Sequence, residues 1–384
     1  MAQSRSGAKA SVPHILHCHS TFSVGGKERR AVQLMNAFGT KLEHTIISGM
    51  PEELGARALI AKRVKAHFPE DFPKLSGFPS PGRLVGIAQA LKGFDLILTY
   101  NWGAMDVVMA HTVFAKTFGL APLIHHEDGF DEADGAGKHL ARRVYRRIAL
   151  EGANALVVPS ETLERTAMKR WSVPRARIKR IANGIDTKTF KAKPKPGALR
   201  VVKREGEKWV GTLARLTPIK QLDQLVKAFV ELPPHWHLVI IGEGETRDAI
   251  RAAAAESELE DRVHLPGAVS DPADVIGLFD IFALSSKSEQ FPLSLVEAMA
   301  AGLPIAAPDV GDVRAIVSKA NAPFISVPGD PSVLGRTLLD LAQDEDLRRE
   351  LGEANRAKAT AEFDETKMVE SYRALYVGMM QRDF

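Results

Sequence analysis

Short runs of apolar residues alternate along this chain with longer segments of helical periodicity. The runs are rich in Val, Ile and Leu, which is typical of strands that are buried on both faces of a parallel sheet. Helical patterns such as QLDQLVKAFVEL lie between them, and this alternation predicts parallel α/β sheets. The predicted strands are 14–20, 44–49, 94–100, 122–126, 155–160, 208–213, 237–242, 262–267, 280–286 and 303–308.

The alternation is interrupted once, at residues 191–208. This segment is charged, contains two prolines and has no periodicity, so we expect a junction between two domains. The predicted domains are 1–190 and 191–384, both Rossmann-like and doubly wound, and the last helix can cross back to the first. Ligands of open α/β sheets bind beyond the carboxyl ends of the strands, so we expect the site in a cleft between the domains.

The bulk composition is that of an ordinary globular protein. The chain has 384 residues, of which 45% are hydrophobic and 26% charged, enough for two cores. A single cysteine, Cys18, excludes a disulfide framework and a multi-cysteine metal site. The first residues lack the apolar stretch of a signal peptide, and no apolar run is long enough to span a bilayer. We therefore expect a cytoplasmic protein.

The net charge of +4 conceals an asymmetry between the two halves. Residues 1–190 hold 27 Lys and Arg against 17 Asp and Glu, a balance of +10, whereas the rest holds 24 against 30, a balance of −6. A basic first half indicates an anionic partner, such as a membrane surface, a phosphorylated lipid or a nucleic acid. Surface charge that serves only solubility explains the same numbers.

A helical segment at 137–150 concentrates this positive charge. Its four arginines have the spacing of one basic stripe beside aliphatic residues. The stripe predicts either a solvated helix face or a peripheral contact with anionic lipid on the inner face of the cytoplasmic membrane. The residues are Arg142, Arg143, Arg146 and Arg147.

The segment SEQFPLSLVEAMAAGLP places two glutamates eight positions apart. Glu289 follows a predicted strand, and Glu297 opens a helix that stops at Gly302. A carboxylate at a helix start is favoured by the helix dipole, but Glu297 has apolar neighbours and needs partners such as the hydroxyls of a ribose or sugar. The N–H groups of Leu293 and Ser294 at the helix start are suited to a phosphate. The segment therefore fits a nucleotide sugar.

Two cations follow the first strand of the second predicted domain. Arg215 and Lys220 lie in the loop after strand 208–213, where a guanidinium and an ammonium suit a diphosphate. The alternative is a pair of solvated loop cations.

Weaker signals lie in the first half. Gly25 and Gly26 precede a helix and allow the backbone to approach a ligand, although such a pair is often only a turn. His125 and His126 end a strand and suggest a metal. Zinc requires three or four ligands in a fixed geometry, so we expect no metal site.

Taken together, these segments resemble the retaining glycosyltransferases of family 4, which have the GT-B fold. Glu289 and Glu297 fit the E-x7-E pattern, and GTLARLTPIK is similar to the phosphate-binding loop of the family. ANGID (182–186) is similar to its Pro-Asn-Gly-Ile/Val-Asp segment, and VGGKE to its amino-terminal glycine loop. The order of the segments also matches. Ala182 and Pro292 depart from the usual proline and glycine.

The resemblance implies a donor site for a UDP- or GDP-linked sugar, with no cofactor and no metal. Arg215, Lys220, Leu293 and Ser294 would hold the diphosphate, Glu297 the ribose and Glu289 the transferred sugar. In the other domain it implies that Gly25 and Gly26 approach the phosphates and that His126 touches the sugar; Val269 would lie by the base. The acceptor would be a lipid or a saccharide in envelope polysaccharide, lipopolysaccharide or glycolipid synthesis.

Three other functions remain open. A nucleotide-sugar 2-epimerase shares the fold but lacks the E-x7-E segment. A non-catalytic sensor would bind the nucleotide sugar without turnover. A nucleic-acid-binding protein fits the isoelectric point of about 9.0, but no recognised motif supports it, and we expect no nucleic acid.

Overall fold

The computed structural model describes residues 11–75, 77–129, 136–191, 194–195 and 197–384, which form two compact units. The first unit contains the chain up to residue 159, 163–181 and 369–384, and the second contains 160–162 and 182–368. The chain leaves the first unit before the boundary predicted at 190/191. It does so because Ile185 exchanges backbone hydrogen bonds of 3.0 and 2.9 Å with Phe363 and Glu365 of the second unit.

A parallel sheet of seven strands forms the centre of the first unit, in the order β3-β2-β1-β4-β5-β6-β7. In its register, His17 lies opposite Ile46 on one side and Leu98 on the other. The order changes direction between β1 and β4, so the loops after these two strands meet at the topological switch point. The strands are β1 (His14–His19), β2 (Glu43–Ser48), β3 (Lys65–His67), β4 (Leu96–Tyr100), β5 (Leu123–His126), β6 (Ala155–Val158) and β7 (Ile178–Arg180).

Helices cover this sheet with their apolar faces inward. Leu34 and Met35 of α1 and Val107 and Val108 of α3 are buried, as the 3.6-residue period requires. Ser80 caps α2 by accepting a hydrogen bond from the Arg83 N–H. The helices are α1 (Gly26–Phe38), α2 (Pro81–Ala90), α3 (Met105–Phe118), α4 (Ala136–Leu150) and α5 (Glu161–Arg170).

The second unit has a parallel sheet of six strands in the order β10-β9-β8-β11-β12-β13. Its switch point lies between β8 and β11, whose pairing places Ile281 opposite Val210. The strands are β8 (Lys208–Leu213), β9 (Trp236–Ile241), β10 (Val263–Gly267), β11 (Ile281–Ala283), β12 (Ile305–Pro308) and β13 (Ile325–Ser326).

The helices of the second unit pack in two buried apolar clusters that include opposite faces of its strands. The last helix of the chain, α12, begins in this unit and continues into the first. None of the helices among the described residues is long and apolar enough to cross a bilayer. The helices are α6 (Leu222–Phe229), α7 (Arg247–Glu256), α8 (Leu293–Ala301), α9 (Val313–Ile316), α10 (Pro331–Gln343), α11 (Glu345–Glu362) and α12 (Glu365–Met380).

The predicted architecture of two doubly wound parallel sheets is confirmed. Every predicted strand segment overlaps a strand of the structure. The pattern missed the short strands β3, β7 and β13, which lie at sheet edges.

Candidate functional site

Lys220 and Glu289 meet at the switch point of the second sheet. The loop after β8 ends in a short 3₁₀ turn that carries Lys220, and the loop after β11 carries Glu289. The Lys220 Nζ donates to Glu289 Oε1 at 2.5 Å. Ser285 secures the turn, because its hydroxyl donates to the Lys220 carbonyl at 2.8 Å. Two residues that are far apart in sequence are thus held together where open α/β sheets bind ligands.

A serine orients the Glu289 carboxylate. The Ser286 hydroxyl donates to Oε1 at 2.7 Å, and the Glu289 side chain is only 9% exposed. Both of these bonds go to Oε1, so Oε2 is left to accept from a ligand hydroxyl. Sequence reasoning missed Ser286, which lies three residues after the end of β11.

Helix α8 follows this loop and places Leu293 and Ser294 at its first two positions. By position, their N–H groups have no acceptor within the helix, and both residues are half-buried. Glu297 is also half-buried and lies one turn into the helix, so the prediction that it opens the helix is corrected. The helix ends at Gly302, whose φ is 81°, as predicted.

Arg215 lies on the loop after β8 and is exposed. The loop backbone is held rigidly on both sides of it, because the Ala214 and Leu216 N–H groups donate to Ile241 and Glu243 carbonyls, both at 3.0 Å. This close approach requires Gly242, where a Cβ atom would lie 1.8 Å from the Ala214 carbonyl oxygen. The segment IGEGE, a weak signal in the sequence, therefore supports the Arg215 loop.

Val269 follows β10 in the same unit. It is half-buried and packs against the larger apolar cluster of this unit. The contact with the base that the resemblance implies for Val269 stays a prediction.

Gly25 and Gly26 begin α1 in the first unit. Glu28 folds back over this helix start, and a Cβ atom on Gly25 would lie 2.7 Å from its Oε2. Burial raises the pKa of the Glu28 carboxyl, and Lys27 pairs with it at 3.2 Å. A phosphate that approached these glycines would therefore meet a carboxyl group first.

The His126 ring lies inside the first unit. It stacks between Tyr100 and Tyr372, with ring centres 4.6 and 5.8 Å away, and is 1% exposed. Burial holds the pKa of His126 well below its usual range, so the ring is neutral. The sugar contact predicted for it would require this stack to open.

The paired histidines do not build a metal site in the described residues. His125 Nδ1 is hydrogen-bonded to the Thr99 hydroxyl at 2.8 Å, and His17 lies between His44 and Tyr100 at 3.0 and 3.2 Å. In the described part of the chain, no group of three or more His, Cys, Asp or Glu side chains is arranged to hold a metal ion.

Two family models match the chain, one in each half. The model for Glycosyltransferase Family 4 matches residues 24–189, and the model for Glycosyl transferases group 1 matches residues 200–358. The first half of the chain therefore carries the Glycosyltransferase Family 4 domain, and the second half carries the Glycosyl transferases group 1 domain.

Curated proteins are similar to parts of this chain. The N-acetyl-alpha-D-glucosaminyl L-malate synthase of Bacillus anthracis is 26% identical over 181 residues, which are 47% of this chain and 48% of that protein. The amylovoran biosynthesis glycosyltransferase AmsK of Erwinia amylovora is 26% identical over 250 residues, 62% of this chain and 60% of that protein. The matched stretch thus spans about half the length of the first relative and three-fifths of the second.

Solved structures share the fold over nearly the whole chain. HepE of Anabaena, crystallised with UDP, has a TM-score of 0.78 and 19% identity, covering 95% of this chain and 100% of that one. Together with the two parallel sheets, this likeness shows that the chain has the α/β GT-B fold.

The basic stripe predicted on α4 divides between two helix faces. Arg142 and Arg146 turn towards Trp102, with guanidinium carbons 4.9 and 5.2 Å from its ring centre. Arg143 and Arg147 are exposed. The prediction of one stripe of four arginines is wrong, because cation–π contacts hold two of them. The exposed face combines the other two with Leu140, Val144 and Ile148.

Replacing Gly311 with alanine is expected to displace Glu289. Gly311 has φ +59°, and a Cβ atom would lie 1.8 Å from the Glu289 carbonyl oxygen. The left-handed backbone costs about 1–2 kcal/mol for alanine, the overlap adds about 1–3 kcal/mol, and any catalysis that depends on the place of Glu289 falls by about 10²-fold. Urea unfolding and steady-state kinetics measure both effects.

Gly119 provides the matched control. Its φ of +61° is nearly the same, but nothing lies within 4 Å of the position that a Cβ atom would take there, so Gly119→Ala should show only the backbone cost. Equal losses of stability and activity in the two variants would contradict the positioning role of Gly311.

Proposed function

We propose that this protein is a retaining glycosyltransferase that transfers a hexose from a UDP-linked donor to an acceptor in envelope polysaccharide synthesis, without a metal. The observation that carries the proposal is the cluster of Lys220, Glu289 and Ser286 beside the Arg215 loop at the switch point of the second sheet. The UDP complex of HepE and the amylovoran function named for AmsK favour the donor and the pathway class.

The cations of the cluster would stabilise the leaving group. When the bond between the anomeric carbon and the β-phosphate oxygen breaks, negative charge grows on the diphosphate. Arg215 and Lys220, with the N–H groups of Leu293 and Ser294, would neutralise that charge in place from the start. An ammonium has three N–H donors, so Lys220 can keep its bond to Glu289 and still bind a phosphate oxygen.

The two carboxylates would hold the two ends of the donor. Glu289, with Oε1 fixed by Lys220 and Ser286, would accept from a hydroxyl of the transferred sugar through Oε2. Glu297, one turn further along α8, would accept from the ribose hydroxyls. The acceptor hydroxyl would then attack on the face that the diphosphate leaves and give its proton to an oxygen of the departing β-phosphate, so that the anomeric configuration is retained.

A donor panel tests the proposal. The protein is incubated with UDP- and GDP-linked hexoses in EDTA, with and without saccharide acceptors, and the products are analysed by mass spectrometry and NMR. We expect slow hydrolysis of one UDP-sugar, release of UDP and, with the acceptor, a product with the donor's anomeric configuration. Donor binding without turnover on the full panel would indicate a sensor instead, and an inverted product would exclude retention.

We also propose that the exposed face of α4 rests on anionic membrane. The face offers two arginines for headgroups, and three aliphatic side chains, each 46–63% exposed, for the interface. A peripheral position there suits an acceptor that is anchored in the membrane.

The double variant Arg143→Gln/Arg147→Gln is expected to bind anionic vesicles about 30-fold more weakly, since each basic residue near the surface contributes about 1 kcal/mol. Vesicle co-sedimentation at low and high salt measures the effect. Lys169→Gln/Arg170→Gln, which removes two exposed charges from α5, is the matched control. If both double variants bind the vesicles as tightly as the wild type does, the proposed membrane contact of α4 would be wrong.

A further inference from the structure

A cavity of about 380 Å³ lies in the first unit between α4 and the loop after β4. Trp102 and Gly103 directly follow β4, and a Cβ atom on Gly103 would lie 2.2 Å from the Cβ of Ser20, which follows β1. The cavity therefore adjoins the switch point of the first sheet, where such sheets bind ligands. Its walls include Leu75, Trp102, Asp106, Ala141, Arg142 and Tyr145.

The Asp106 carboxylate and the Tyr145 hydroxyl in these walls already have partners. Asp106 accepts from the Tyr145 hydroxyl at 2.6 Å and from Arg83 Nη1 at 2.6 Å. The remaining surface is mostly hydrocarbon and aromatic ring, from residues such as Leu75 and Trp102. A sugar ring would find few hydrogen-bond partners among the described residues of this surface, whereas an apolar chain would gain from leaving water.

An apolar side chain and a positive charge accompany the lining residues. Phe78 stands between Gly77 and Pro79, which line the cavity, and is 85% exposed. The half-buried Arg142 guanidinium, which also lines the cavity, lies 4.9 Å from the Trp102 ring centre. An anion at this rim would face the Arg142 cation, and the chain attached to it would face the apolar walls.

We propose that this cavity receives the alkyl or isoprenyl chain of the acceptor, with the phosphate that joins the chain to the sugar held at the rim by Arg142. The inference rests on the proposed function, since it assigns the acceptor to the class of lipid phosphates. It is separate from the membrane contact of α4, because Ala141, Arg142 and Tyr145 line the cavity on the other side of that helix from Leu140 and Val144.

Monoalkyl phosphates from butyl to decyl, below their critical micelle concentrations and without vesicles, test the cavity directly. Each buried CH₂ contributes about 0.8 kcal/mol, which is about a fourfold gain in affinity. Calorimetry gives the affinity, and tryptophan fluorescence reports the place, because Trp102 is half-buried whereas Trp171, Trp209 and Trp236 are buried. We expect the dissociation constant to fall about fourfold with each CH₂ until the cavity is full.

Two variants locate the binding. Ala141→Phe places a ring at an exposed lining position and should weaken decyl phosphate binding at least tenfold, and Phe78→Ser should weaken it at the rim. Ala357→Phe, at an exposed alanine of α11, is the control for an added ring. Circular dichroism verifies that each variant is folded.

The outcomes separate this inference from the proposed function. Affinity that does not change with chain length, or that survives both Ala141→Phe and Phe78→Ser, overturns the cavity proposal, and equal binding of alkyl glucosides overturns the phosphate at the rim. UDP-sugar hydrolysis is measured on the same preparations. Normal hydrolysis without chain-dependent binding overturns only the cavity, and chain-dependent binding without hydrolysis overturns only the transferase.

Discussion

Lys220→Ala is expected to lower the rate of sugar transfer by about 10²–10³-fold, the usual effect of removing one group that stabilises developing negative charge. The reason is twofold. The diphosphate loses a cation as it leaves, and Glu289, with its side chain only 9% exposed, loses the ammonium that fixes Oε1 at 2.5 Å. Steady-state kinetics with the UDP-sugar identified by the donor panel measure the loss.

Lys227→Ala makes the same change at an exposed position of α6 in the same unit and should leave transfer unchanged. Lys220→Arg separates the two effects, because a guanidinium can keep the pair with Glu289 but presents its charge in a different geometry. If Lys220→Ala transferred sugar as fast as Lys227→Ala, the role of Lys220 at the leaving group would be wrong.

Acidification below pH 6.5 is expected to unfold the first unit. Burial lowers the pKa values of His17, His19 and His126 well below their usual range, and that of His44 to about 4. In the unfolded chain these rings take up protons near pH 6.5, so below that pH the unfolded state binds more protons. Stability is therefore complete well above pH 6.5, and below that pH its fall approaches about 1.4 kcal/mol per pH unit for each histidine.

Four such rings remove about 4 kcal/mol between pH 6.5 and 5.5, which approaches the whole stability of many domains. Urea unfolding at the two pH values measures the loss. His44→Gln should reduce the dependence by about one proton, whereas His235→Gln, at an exposed position of the second unit, should not change it. An unfolding free energy that is the same at both pH values would show that these four histidines are not buried in the neutral form.

The fold could be predicted from the sequence because strands buried on both faces are continuous apolar runs. The missed strands break that rule: β3 (Lys65–His67) and β7 (Ile178–Arg180) show mostly charged or polar side chains, and β13 has two residues. Edge strands like these are buried on fewer sides and carry little apolar signal. The place of Ile185 in the second unit depends on backbone bonds with Phe363 and Glu365, which the side-chain pattern does not encode.

For the site, the sequence indicated which residues carry charge but not which of them meet. It indicated both Lys220 and Glu289, 69 positions apart, but their bond depends on the pairing of β8 with β11. Ser286 and Gly311 were missed because one hydroxyl and one glycine have no distinctive pattern. Burial of the His126 ring could not be foreseen, since it depends on Tyr372 near the other end of the chain.

The proposed reaction depends on binding of the donor diphosphate by Arg215 and Lys220 of the second unit. Calorimetric titration of UDP and of uridine into the wild type and into Arg215→Ala/Lys220→Ala, in EDTA, tests it most directly. Two charge-assisted contacts contribute about 1.5–3 kcal/mol each, so UDP should bind the double variant at least about 10²-fold more weakly, with uridine affinity unchanged. Equal affinity of both proteins for UDP would contradict the claim.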